Sequence, residues 1–448
     1  MRETRLRRML CGIAAALATL AIGAPCSAAA PVRLDIRAEN RTILIPGPGD
    51  GTFQVQVIVP DLPYPDDRPK LNLALVIDRS GSMADANKLE YVKTAAHRLI
   101  DLMGNDDILS IVAYDHQVRV AFPARRVDGN REALHRIVAD LYPGGRTFLS
   151  GGLEEGFRQA RSARRGGYVN RVLLLSDGLA NVGVTSRNAL RDRASTMAEY
   201  GISVSTFGVG NQFDEELLAM VASGGGGGYR YLGDPEQIAA ALSSEFRTAS
   251  RTAACDVEIV IRFRPDCRFR WVLGREWRRD GDAYVIRLGD LSAGERRTLF
   301  ASLSVSGTKP EVREVADVAL RYRDPVTGKT VAAAPLPVSL ELVRDEARYR
   351  EGFDRSVQER KAVAESGALV QEAARLADQG KKEQAKELLG KAAAGLAAAP
   401  ASPAVRAEME RADAYRKQLD SLTDMASDEA KGAQKAVKYR SYEILDRQ

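Results

Sequence analysis

The sequence predicts an α/β fold followed by a smaller all-β unit and a helical end. Three observations carry this. From Leu71 to Phe246, mostly apolar runs of strand length alternate with amphipathic helical patterns. Residues 253–345 lose the helical period and break into short runs separated by turn residues, and from Arg344 onward the chain is rich in Ala, Glu, Lys and Arg. Alternation of the first kind builds an open, mostly parallel sheet with helices on its faces.

The first thirty residues stand apart. Arg2, Arg5, Arg7 and Arg8 precede the apolar run Leu10 to Ile22, and Pro25-Cys26-Ser27-Ala28-Ala29-Ala30 follows it. This is the pattern of a secretory leader over residues 1–29, with cleavage expected near Ala28 or Ala29 and a periplasmic or extracellular destination. Removing Arg2, Arg5, Arg7, Arg8 and Glu3 lowers the formal net charge by 3, from +5 to +2. With no Lys/Arg block interleaved with aromatics, no nucleic-acid partner is expected, and no second apolar segment has the length to span a membrane. At 448 residues the chain has room for about three domains.

Residues 30–70 alternate apolar and polar side chains at Arg33–Arg37 and again at Phe53–Val59, which is strand chemistry, and Pro60, Pro63 and Pro65 stiffen the exit. Residues 71–250 form the α/β unit. Strands are expected near 72–77, 108–114, 118–122, 171–176 and 202–208. Helices are expected near 88–103, 131–141, 149–163, 186–199, 213–222 and 235–246. The short interval between the second and third strands predicts an antiparallel edge hairpin. Ser223–Gly228, a serine and five glycines, reads as a flexible connection to a short strand at Tyr229–Tyr231. Residues 253–345 predict a β-sandwich, with strands near 256–264, 268–273, 283–288, 297–305, 314–323 and 329–342. Because two or three N-terminal strands cannot bury a core alone, they are expected to complete this sandwich.

The helical end reads as a hairpin from Leu369 to Ala398 with Gly380 at its turn, then a further helix, within 346–425. The hairpin resembles a single tetratricopeptide-like unit. Residues 426–448 read as a polar tail, only partly ordered. Cys255 and Cys267 are the cysteines outside the leader. In an exported chain they are expected either to pair or to remain two buried thiols.

The chemistry lies where strands end. Asp78-Arg79-Ser80-Gly81-Ser82 follows the apolar run Leu71 to Ile77 and sets three oxygen side chains at alternate positions. One carboxylate and two hydroxyls suit Mg²⁺, Mn²⁺ or Ca²⁺ and suit zinc or copper poorly, since no Cys or His is near in sequence. Gly144-Gly145-Arg146-Thr147 opens a helical pattern and offers a further hydroxyl. Val172 to Ser176 is an apolar strand that ends in Asp177-Gly178. In an open α/β sheet such strand ends meet along one edge.

These three segments together resemble the von Willebrand factor type A domain, whose metal-ion-dependent adhesion site reads D-x-S-x-S, then Thr, then Asp-Gly. The resemblance implies a Rossmann-like fold from about Leu71 to Phe246. It implies Ser80 and Ser82 as direct metal ligands, Thr147 as direct or water-mediated, and Asp78 and Asp177 acting largely through water. It implies Mg²⁺ or a similar ion, and a protein partner whose Asp or Glu carboxylate completes the coordination. The insertion of such a domain between strands of a sandwich resembles the integrin β-subunit.

No enzymatic activity is expected. His97 and His135 fall in helical patterns and His116 in the edge hairpin, so no imidazole is placed to activate Ser80 or Ser82, and no nucleophile-elbow motif is present. A metal-dependent hydrolase and an envelope scaffold with a purely structural metal are the alternative readings.

Overall fold

Strands β1 (Arg33–Ala38), β2 (Thr42–Leu44) and β3 (Gly47–Ile58) find their partners far along the chain. The computed structural model describes residues 32–61, 68–421 and 427–447. The expected leader with its cleavage point, and Pro63 and Pro65, lie outside the described residues.

The α/β unit runs through β4 (Lys70–Asp78), α1 (Lys88–Leu102), β5 (Ile108–Tyr114), β6 (Val118–Arg126), α2 (Arg131–Ala139), α3 (Leu149–Ser162), β7 (Tyr168–Ser176), α4 (Arg187–Glu199), β8 (Ile202–Val209), α5 (Glu215–Gly224), β9 (Gly226–Leu232) and α6 (Ile238–Ser250). Its sheet has the order β6-β5-β4-β7-β8-β9. All neighbours are parallel except the edge hairpin β5–β6. β4, β5, β7 and β8 are buried along almost their whole length because helices cover both faces. Leu73, Leu75 and Ile77 point into one apolar core with α1 and α6, while Ala74 and Val76 point into the other with α3.

Ser223–Gly228 is not a flexible connection. Gly224 closes α5, and Gly226–Gly228 already belong to β9. The missing side chains permit a close approach: a β-carbon at Gly289 of the sandwich would overlap the Gly226 backbone, and one at Gly227 would overlap that of Val204.

The sandwich is built from β10 (Thr252–Phe263), β11 (Cys267–Val272), β12 (Trp277–Asp280), β13 (Ala283–Ser292), β14 (Arg296–Gly307), β15 (Glu311–Arg323), β16 (Thr330–Ala332) and β17 (Leu336–Val343), together with the N-terminal strands. One sheet runs β1-β3-β14-β11. The other runs β12-β13-β10-β15-β17-β2, with β16 also on β15. β3 and β14 pair from Ile58↔Arg296 to Gly47↔Gly307, so the α/β unit lies in sequence between two strands of one sheet. Val55 and Leu303 from the first sheet meet Ile259 and Leu320 from the second in a shared core. The run expected as one strand over 329–342 is interrupted at 333–335, where Pro335 has no N–H for the ladder.

Cys255 and Cys267 are both buried free thiols. The expected pairing fails because Cys255 packs into the α/β core while Cys267, on the other sheet, packs inside the sandwich.

Helices α7 (Glu346–Glu351), α8 (Arg355–Asp378), α9 (Lys382–Ala398), α10 (Pro403–Ser421) and α11 (Asp428–Arg447) complete the chain. The hairpin α8–α9 turns at Gly380, whose φ of 74° favours glycine. The segment expected as a partly ordered tail is mostly α11, a docked helix. Its polar composition conceals a binding stripe: Tyr439 and Tyr442 stand edge-on to Tyr229, each 5.7 Å away. Lys435 donates to the Phe213 carbonyl at 2.7 Å, and Lys435 and Lys438 both pair with Glu215. Among the described residues no helix is long and apolar enough to cross a membrane.

Candidate metal centre

β4 delivers Asp78 to the carboxyl edge of the sheet as its last residue, fully buried. The chain then leaves β4 under backbone control: Arg79 N–H donates to the Tyr114 carbonyl at 2.8 Å, and Gly81 N–H to that of Gly145 at 2.9 Å. That second bond joins the Asp78–Ser82 loop to the loop carrying Thr147.

The oxygens converge. Asp78 Oδ1 accepts from Ser80 N–H at 2.8 Å, and its Oδ2 accepts from the Ser176 hydroxyl at 2.8 Å. Ser80 Oγ and Ser82 Oγ lie 3.2 Å apart, and the Ser82 hydroxyl donates to Asp177 Oδ1 at 2.7 Å. Thr147 is held by its backbone, whose N–H donates to Asn181 Oδ1 at 2.9 Å. A β-carbon at Gly178 would lie 3.2 Å from Thr147 Oγ1 and 3.6 Å from Ser82 Oγ, which places those hydroxyls around one point. The sequence-predicted residues Asp78, Ser80, Ser82, Thr147 and Asp177 thus lie together at the carboxyl edge of the sheet, brought there from three segments.

Burial pushes the Asp78 carboxyl up to about 6, opposed by the Ser80 hydrogen bonds and reinforced by the charge of Asp177. A buried carboxylate with two more hydroxyls and a second buried carboxylate beside it is a donor set that fits Mg²⁺, Mn²⁺ or Ca²⁺. Among the described residues no group of three or more His, Cys, Asp or Glu side chains could hold a metal ion. A cation held here would therefore have to draw on the hydroxyls of Ser80, Ser82 and Thr147 as well as on the two carboxylates.

Four neighbours were not singled out from sequence. Lys88, the first residue of α1, donates to Asp177 Oδ2 at 2.7 Å. Tyr114 places its hydroxyl 3.3 Å from Asp78 Oδ2. Asn181 fixes Thr147, as above. Asp115 is buried and ties two loops together: its Oδ2 lies 2.9 Å from Arg79 Nη2 and accepts from Gly145 N–H at 3.3 Å, while Oδ1 accepts from Gln117 N–H at 2.8 Å. Burial would raise its carboxyl, but the Gln117 and Gly145 hydrogen bonds and the Arg79 charge outweigh that and lower it. A β-carbon at Gly144 would overlap this carboxylate. Asp115 follows β5, a parallel strand, so the rule that pointed to Asp78 and Asp177 reaches it too.

Of the histidines, His116 lies on the rim with Nδ1 3.3 Å from Asp115 Oδ1. His97 and His135 meet each other between α1 and α2, Nδ1 to Nδ1 at 2.7 Å. Asp106 and Asp107, in the turn that leads into β5, differ from each other. Asp107 is buried and paired with Arg68 at 2.5 Å, and Asp106 is half-exposed beside Lys70.

Residues 72–243 match the family model of the von Willebrand factor type A domain. The chain carries a von Willebrand factor type A domain. An uncharacterised protein of Synechocystis is 28% identical over 305 residues, covering 66% of this chain and 71% of the relative. The uncharacterised protein YfbK of Escherichia coli is 30% identical over 260 residues, covering 55% of this chain and 44% of its own. The match thus spans less than half of the E. coli protein. Among solved structures, a von Willebrand factor type A protein from Catenulispora acidiphila superposes with a TM-score of 0.73 at 17% identity, covering 93% of this chain and 97% of that one. The ArnB paralog VWA2 from Sulfolobus acidocaldarius does so at 0.56 and 15%, covering 92% and 98%. At such identities these two show a shared fold, and it extends well beyond the type A domain.

Proposed function

We propose that this chain is an exported protein that binds another protein through a divalent cation, Mg²⁺ or a similar ion, held by Asp78, Ser80, Ser82, Thr147 and Asp177. Adhesion and the assembly of an envelope complex are the roles this suits. The observation that supports the reading is the hydrogen-bonded run Asp78–Ser80–Ser82–Asp177, which gathers acidic and hydroxyl oxygens at the carboxyl ends of parallel strands. Domains of this family are generally non-enzymatic interaction modules. The leader pattern at Arg2–Ala30 supports export.

When bound, the cation would supply a position at which a partner carboxylate replaces a water, matching charge at short range. The chain's own residues prepare that position. Ser176 and Ser80 N–H hold Asp78, Lys88 holds the outer oxygen of Asp177, and Asp115 with Arg79 fastens the Thr147 loop to the Asp78 loop. The partly exposed Ser82 keeps the cluster open to the surface.

Calorimetric Mg²⁺ binding and Mg²⁺-dependent capture from envelope extract test the proposal, comparing wild type with Asp78→Ala. Folded Asp78→Ala protein that loses both is the expected result. Identical captured sets in Mg²⁺ and in chelator would overturn it. A large loss of thermal stability with capture unchanged would assign the metal a structural role instead.

A further inference from the structure

We infer that one side of the sandwich, where β11 and β12 run, is a docking surface for an anionic phospholipid leaflet. This role shares the export reading with the proposal above and is independent of the cation site. The residues that form the surface are scattered in sequence and gathered by the fold.

Between Arg262 and Arg279 stand seven arginines and two acids, Asp266 and Glu276, a formal charge of +5. Without its leader the chain carries +2, so everything outside this stretch sums to −3. No contiguous basic block results, because apolar residues and the two acids separate the arginines. Arg264 pairs with Glu314 and Asp317, and Arg275 with Asp446. The other five, Arg262, Arg268, Arg270, Arg278 and Arg279, are all exposed. Arg262 lies 3.4 Å from Asp282, Arg270 3.3 Å from Asp50, and Arg278 3.5 Å from Glu258 and 3.6 Å from Asp280. These three keep 51%, 54% and 53% of their side chains in solvent. Exposed pairs of this kind hold little energy and yield to a phosphate. Arg279 donates to the Gly281 carbonyl at 3.1 Å, and among the described residues neither it nor Arg268 has an acidic partner.

Ring contacts put the five guanidiniums on one surface. β11 and β12 are end strands of the two facing sheets. Phe269 of β11 reaches Trp277 of β12, with 4.8 Å between ring centroids, and stacks on Tyr284 of β13 at 4.2 Å. Arg268 and Arg270 flank Phe269, Arg278 and Arg279 follow Trp277, and Arg262 pairs in register with Ala283, next to Tyr284. Trp277, 44% exposed, stands on the rim of this group. A half-exposed indole among guanidiniums is the composition that settles at headgroup level, the ring against the acyl boundary and the planar forks on phosphate oxygens. Single-stranded nucleic acid fits less well. Bases stack on open ring faces, and those of Phe269 and Tyr284 cover each other, 22° from parallel. Among the described residues no helix can span a bilayer, so the contact is peripheral.

The test is co-sedimentation with vesicles of phosphatidylcholine alone and of phosphatidylcholine with about one-third phosphatidylglycerol. It uses the chain from Ala30 onward, since the apolar leader pattern would itself enter lipid, and it is run in EDTA so that no cation bridges protein and phosphate. Binding to the anionic vesicles is expected to be at least tenfold tighter than to the neutral ones, and to fall as salt rises from about 0.05 M to about 0.3 M. The Arg268→Gln, Arg279→Gln double variant should bind about tenfold more weakly while melting like wild type. Phosphatidylglycerol brominated in its acyl chains should quench tryptophan fluorescence, and Trp277→Phe protein, which keeps Trp271, should lose most of that quenching. Equal binding to the two vesicle types, equal binding by the double variant, or quenching undiminished in Trp277→Phe protein would overturn the lipid role. Tighter binding to single-stranded DNA or to phosphate-free polygalacturonate than to anionic vesicles would overturn it in favour of a nucleic acid or an acidic glycan. None of these outcomes touches the cation site, whose failure is read separately from calorimetric Mg²⁺ binding.

Discussion

Lys88 places its ammonium 2.7 Å from Asp177 Oδ2, with 10% and 0% of the two side chains exposed. The pair sets a tethered positive charge against an oxygen of the proposed metal site. Removing one partner of a buried ion pair commonly costs ~3–5 kcal/mol, because the other charge is left uncompensated. Lys88→Met should therefore lower the melting temperature in chelator, and Mg²⁺ should restore much of the loss by supplying the missing charge. Scanning fluorimetry in Mg²⁺ and in EDTA measures both. A variant that melts like wild type in EDTA would show that Lys88 does not balance Asp177.

The joint between the α/β unit and the sandwich holds a second buried cluster. Arg171 of β7 donates to Glu245 of α6 at 2.7 Å and to Asp290 of β13 at 2.8 Å, with each side chain about 95% buried. Ser203 and Ser205 complete the network at 2.9 and 2.7 Å. Glu245→Ala leaves Arg171 with half its charge match, so a loss of ~3–5 kcal/mol in unfolding free energy is expected by urea titration. Glu245→Gln, which keeps a hydrogen-bonding oxygen, should cost less. Equal losses for the two variants would show that shape rather than charge holds the joint.

The sheet of the type A domain was legible because its strands are long apolar runs buried on both faces, and because the oxygens of its site fall at strand ends. Asp78, Ser80, Ser82, Thr147 and Asp177 come together in the structure as the motif implies. Lys88 and Asn181 were not legible, since a lysine opening a helix or an asparagine in a loop has no spacing that marks it. The glycine run at 223–228 misled for a physical reason: glycine serves both flexibility and close packing, and only the position of Gly289 opposite Gly226 decides between them. The same holds for α11, whose lysines look solvent-bound until Glu215 is found beneath them.

That contact makes the docking of α11 sensitive to acid. Burial alone would push the Glu215 carboxyl up, but the ammonium groups of Lys435 and Lys438 outweigh it and hold it at about 2. An ordinary glutamate titrates near 4.3, so the folded state holds its proton less tightly than the unfolded state. The resulting stabilisation, about 3 kcal/mol, is whole above roughly pH 4.5 and is lost as the pH falls toward 2. Amide exchange across Asp428–Arg447, corrected for intrinsic rates, should therefore quicken between pH 6 and pH 3 more than exchange in β4 does. In Glu215→Gln protein the excess over β4 should shrink, and an unchanged excess would point to another acid-sensitive group.

Cys255 and Cys267 give the last prediction. Burial pushes the Cys267 thiol up to about 11 and the Cys255 thiol well above its usual range, so neither carries thiolate near neutral pH. They also lie in separate cores, one under the type A sheet and one inside the sandwich. In native protein both should resist a thiol reagent, and both should react once guanidinium opens the fold. Non-reducing peptide mapping should find no 255–267 link even in protein purified from an oxidising compartment. Recovery of that linked peptide in good yield from native protein would show that the two strands can come together in a way the separate cores forbid.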